Sequence, residues 1–154
     1  MNPGRLQRLA TTMLAFVLVF MYAACDNEGG DDTSDAELIV GSWDLAGVED
    51  ESGDRTADFA ATFQSFDATF NADGTVNLVL DRTDPNDDDV DLQATYAVDE
   101  TAMTVTLTVQ TLAIPFSYEF VSDDTVELTA SATLMNLVFQ TTLQGQSTIT
   151  LQRD

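Results

Sequence analysis

Twenty-seven carboxylates against five arginines give this 154-residue chain a formal charge of −22, which repels phosphate backbones and anionic head groups and so argues against nucleic acid, or a membrane met by the protein surface, as partner. The chain has no histidine, no lysine and a single cysteine. The commonest general base, a Schiff-base nucleophile and an internal disulfide are therefore excluded, and no residue set calls for a cofactor. The length suits one domain with a tail.

The first element is a leader. Arg5 and Arg8 precede an apolar run, Met13 to Ala24, that ends at Cys25; a positive start, a short apolar core and a small-residue exit describe a secretory signal peptide over residues 1–24. The run is shorter than the roughly 20 residues that span a bilayer. Tyr22-Ala23-Ala24-Cys25 resembles the bacterial lipobox, which implies lipid on Cys25, membrane attachment through that lipid, and export to the cell envelope, with the outer membrane as the expected site. Ordinary cleavage leaving a free thiol suits the bulky Tyr22 badly. Cleavage before Cys25 leaves three arginines against all 27 acidic residues. Such acidity serves either a cation-binding surface or solubility in high salt, and the absence of lysine favours salt adaptation.

Residues 25–36 hold the lipidated cysteine and an acidic, glycine-containing stretch with nothing to bury, expected to be a disordered tether. Within it, acidic residues just after the cysteine resemble a surface-export signal of some Gram-negative lipoproteins. Ser34 and Glu37 have capping-box spacing and predict one helical turn that forms a lid before the first strand.

From residue 37 to 154 apolar residues recur with a period of two. Met103, Val105, Leu107 and Val109 alternate with Thr104, Thr106, Thr108 and Gln110, giving one buried and one wet face. The same alternation runs through Val76–Leu80, Leu92–Val98, Phe116–Phe120, Val126–Ala132, Phe139 with Leu143, and Ile149 with Leu151; Ile39–Val48 and Phe63–Phe70 complete about nine strands with no long helix. Turn residues at 71–74, 99–101, 122–124 and 144–146 separate them. Strands joined by tight turns form an antiparallel up-and-down meander, and eight or nine close most economically into an all-β barrel without exposed edges; a β-sandwich is the alternative.

Gly41-Ser42-Trp43, at the start of the first strand, resembles the G-x-W signature of lipocalins, and Phe70–Val76, Tyr96–Val98 and Thr148–Arg153 are similar to the lipocalin-like domains of bacterial lipoproteins. The resemblance implies that Trp43 packs across the closed end of the barrel beneath Arg153, a structural role shared with Gly41. It also implies that the barrel either holds a small apolar ligand or is filled by Phe63, Phe66, Phe70, Phe116, Phe120 and Phe139.

One loop carries candidate metal ligands. Asp84, Asn86 and Asp88 have the alternating oxygen spacing that opens a calcium loop, but Asp89 and Thr95 stand where an EF-hand needs glycine and glutamate. A solvated acidic loop is the simpler reading. Only carboxylates and hydroxyls are left for catalysis, and among 27 acidic residues pairs arise by chance, so no catalytic residue is assigned and no enzyme is expected. The functional expectation is a lipid-anchored, lipocalin-like envelope protein with a possible small hydrophobic ligand; the alternatives are a filled-barrel interaction module and a calcium-dependent adhesion module.

Overall fold

The computed structural model describes residues 33–154, so the signal peptide, Cys25 and most of the expected tether lie outside the described residues. The chain opens with helix α1 (Asp35–Leu38) and continues through β1 (Gly41–Asp50), the two-residue β2 (Gly53–Asp54), α2 (Thr56–Thr62), β3 (Phe63–Phe70), β4 (Thr75–Arg82), β5 (Val90–Asp99), β6 (Thr104–Val109), β7 (Leu112–Ser122), β8 (Thr125–Ser131), α3 (Ala132–Phe139) and β9 (Gln146–Arg153). Every ladder is antiparallel, and β1 pairs with β9 to close an eight-stranded barrel on which β2 is an extra flap. The meander and its closure into a barrel stand as read from the sequence, and the sandwich alternative is set aside.

Alternation sets the wall. In β6 and β8 the apolar members Val105, Leu107, Val126, Leu128 and Ala130 are buried, while their threonine neighbours are only partly covered. The register slips at Leu45/Gly47 in β1 and at Phe63/Ser65 in β3. Such irregularities bend a strand. Here β1 leaves β3 after the pair Asp44↔Asp67 while staying on β9 as far as Glu49↔Thr148. The resulting split in the wall is plugged by α2, whose Phe59 ring centroid lies 4.8 Å from that of Phe63 and 6.2 Å from that of Phe66.

Three expectations are corrected. Phe139 and Leu143 are not strand residues: α3 covers 132–139, because Ala132, Met135 and Phe139 follow helical rather than strand spacing and all three are buried. Gln140, in the left-handed conformation, ends this helix. Met103 does not share the buried face of Val105; it sits at φ 51° just before β6 and is 45 % exposed. The first strand begins at Gly41, since Ile39 closes α1.

Helix α1 forms where the capping box lies. The Glu37 N–H donates to Ser34 Oγ (3.2 Å) and the Ser34 N–H to Glu37 Oε2 (3.3 Å). Four residues cannot hold a helix alone, and α1 survives through tertiary bonds: Tyr118 Oη donates to Asp35 Oδ2 at 2.8 Å, and the Ala36 N–H to Glu100 Oε1 at 3.1 Å. The compact unit accordingly starts at Thr33, inside the segment expected as tether.

Candidate functional site

At the α1 end, β1 begins and β9 finishes, and the register sets Trp43 opposite Arg153. Trp43 is fully buried; its Nε1–H donates to the Ile39 carbonyl at 2.8 Å. The Arg153 guanidinium carbon lies 4.4 Å from the centre of the indole, within cation–π range. Arg153 also donates through Nη1 to the Val40 carbonyl (3.0 Å) and through Nη2 to those of Leu38 and Asp123 (2.5 and 3.3 Å). One cation thus satisfies the carbonyls left over where a short helix ends. Gly41 is required beside it: its φ is +141°, and a Cβ there would stand 2.5 Å from Arg153 Nη1. Gly41, Trp43 and Arg153 are therefore brought together as a structural lock.

The interior offers little space. The void bounded by Phe66, Phe70, Phe116, Phe139, Leu107 and Leu128 measures about 10 Å³. That is room for no more than one water, against the roughly 300–1,000 Å³ of a ligand pocket. Five of the six phenylalanines named from the sequence are buried; Phe120 is partly exposed and lies 6.4 Å from Trp43, ring centre to centre. At the opposite end from α1, Phe139 of α3 meets Phe66 with centroids 6.0 Å apart, and α2 and α3 close that mouth.

In the acidic loop, Asp84 Oδ1 accepts from the Asn86 N–H (3.0 Å) and Nδ2 (2.7 Å), which holds its carboxyl below the ordinary value. Asp84 and Asn86 thus bind each other in a turn, and Asp88 stands exposed in the same loop. Among the described residues no three Asp, Glu, His or Cys side chains converge as a metal site. On the outer wall Asp44 faces Asp67; local loss of hydration against the wall, the bond to Asp67 and the charge of Asp154 raise the Asp44 carboxyl. This pair is solvent-exposed beside the split wall, in a groove of about 350 Å³ lined in part by Leu45, Phe59 and Phe63.

Sequence reading misses Asp50. Its side chain is buried and joins three segments: it accepts from the Ser52 N–H (2.7 Å), the Gln144 N–H (3.0 Å) and Arg55 Nη1 (3.2 Å). Burial pushes the carboxyl up, but these three donors outweigh it and hold it below the ordinary value. Tyr118 carries only a strand signal in the sequence; burial, then its bond to Asp35, pushes the phenol above its usual range. Ser52 and Arg55 lie near Asp50 in the chain, but the contacts that tie each residue into the fold are distant: Gln144 is 94 positions from Asp50 and Asp35 is 83 from Tyr118.

Comparison of the sequence with family models and with curated proteins gives no match. Among the described residues no helix is long and apolar enough to cross a membrane.

Proposed function

We propose that this chain is an exported, non-enzymatic, lipocalin-like protein, anchored to the cell envelope by lipid on Cys25, whose filled barrel works through its outer surface. The observation that carries this reading is the interior void of about 10 Å³. It favours an interaction module over a carrier of a small apolar ligand, because a cavity that admits one water cannot bury a hydrophobic molecule. The lipocalin likeness draws support from the Gly41, Trp43 and Arg153 lock on the first and last strands. The anchor draws support from the apolar run that ends at Ala24. The non-enzymatic reading rests on a residue inventory without histidine or lysine.

Two measurements test it together. Cys25→Ser should move the protein from the membrane fraction to the soluble fraction; a variant that stays with the membrane overturns the anchor. A fluorescent fatty acid titrated into the protein should show no saturable binding, and a one-to-one isotherm quenched by Trp43 overturns the filled-barrel module.

A further inference from the structure

Strand β5 is longer than its neighbour β6, and the difference leaves sheet edge bare. Val90–Thr95 pair with Thr75–Leu80 of β4, but on the other side only Thr95–Asp99 meet β6. The Tyr96 N–H donates to the Gly74 carbonyl on the β4 side at 2.8 Å. Backbone direction alternates along a strand, so even-numbered residues of β5 face β4 and odd-numbered ones face β6. The N–H and C=O groups of Asp91 and Gln93 therefore point along the bare edge, and no described residue bonds to them. Open grooves flank this edge. One of about 520 Å³ lies at Gln93, Thr95 and Thr108; another of about 490 Å³ lies at Asp87–Leu92 and Gln140.

A strand laid on this edge would meet a defined chemistry. Its residues opposite Asp91 and Gln93 would point outward, and those opposite Val90 and Leu92 would point inward to half-buried apolar side chains. Outside stand Asp87, Asp88, Asp89 and Asp91, and none of them is ion-paired among the described residues. The nearby Arg82 is turned inward: its guanidinium carbon lies 4.6 Å from the centre of the Phe63 ring and its Nη2 donates to Gln140 Oε1 at 3.1 Å. A free edge with an uncompensated anionic rim fits an extended cationic segment, through backbone bonds for affinity and charge for selection. The chain's own stretch after Cys25 is acidic and is repelled.

We propose that the bare edge of β5 at Val90–Ala94 binds a protein partner by strand addition, the partner being an extended segment that alternates basic and apolar residues. This rests on the reading of the barrel as a module that works through its surface. The competing role for the same aspartates is protection, since charges on an edge also prevent pairing between copies.

The probe is a six-residue, end-blocked peptide of alternating lysine and valine, labelled for fluorescence anisotropy and titrated at fixed 0.1 M salt, where charges beyond about 10 Å are screened. It should bind saturably to the full protein. Gln93→Pro removes a donor from the bare edge and leaves the β4 ladder intact; binding should weaken at least tenfold while the melting temperature holds. The same peptide with alternate amides N-methylated should lose binding equally, and this arm decides the matter if Gln93→Pro fails to fold. Asp87→Asn/Asp88→Asn/Asp91→Asn should also weaken binding tenfold or more. Equal affinity for the N-methylated peptide, or loss in the aspartate variant alone, reduces the contact to charge attraction and overturns strand addition. No binding by wild type overturns it as well, and self-association of the aspartate variant then assigns the carboxylates to protection. In either case the fatty-acid titration reports separately on whether the filled-barrel reading stands.

Discussion

Replacing Trp43 by alanine removes the largest fully buried side chain of the barrel together with two directional contacts, the Nε1–H bond to the Ile39 carbonyl and the face beneath Arg153. Truncation of a buried aromatic costs about 3–5 kcal/mol. Within that total the cation–π contact contributes about 0.5–2 kcal/mol and the hydrogen bond about 1 kcal/mol. For a domain of this size the melting temperature should fall by roughly 10–20 °C. A double-mutant cycle isolates the lock: Arg153→Met keeps the side-chain stem over the ring and removes the charge, and its coupling to Trp43→Ala should be about 1 kcal/mol. Urea unfolding followed by far-UV circular dichroism serves all four proteins, because Trp43 is the only tryptophan and its emission vanishes in two of them. A loss below about 1 kcal/mol in Trp43→Ala, or no coupling in the cycle, would refute the closed-end lock.

Gly41→Ala should destabilise by roughly 1–3 kcal/mol through its backbone conformation alone, and more because its Cβ displaces Arg153; a melting temperature equal to wild type contradicts this. Asp50 is held below the ordinary 3.8 of an aspartate, so the stability it contributes is present above that pH and drains away as pH falls through its lowered folded-state value. Asp50→Asn should therefore be less stable than wild type at neutral pH, with the gap narrowing below 3.8; a gap that stays constant into strong acid would show that Asp50 acts by shape alone. With a formal charge of −22, the melting temperature should climb with sodium chloride as the Debye length shrinks from about 30 Å at 0.01 M to about 3 Å at 1 M. At fixed ionic strength calcium should leave it unchanged, and a calcium shift abolished by Asp84→Asn/Asp88→Asn would instead make the acidic loop a metal site.

The barrel was legible in the sequence because strand periodicity is local: whether Val105 or Thr106 faces inward is written two residues at a time, and tight turns between such runs leave few ways to connect them. The same locality made Ser34 and Glu37 readable as a cap. It failed at Phe139, since a short apolar run fits helix and strand alike until Met135 and Ala132 find the barrel mouth. Met103 was misplaced because its left-handed backbone, which breaks the alternation, leaves no mark in the residue type. What only the tertiary structure decided are relations between distant segments: that Asp50, one carboxylate among 27, reaches Gln144, that the void between Phe66, Phe70, Phe116 and Phe139 closes to about 10 Å³, and that β6 stops short of β5. A hydrogen-bond partner, a void and a bare edge are properties of pairs of surfaces, and no single stretch of chain encodes the surface it will meet.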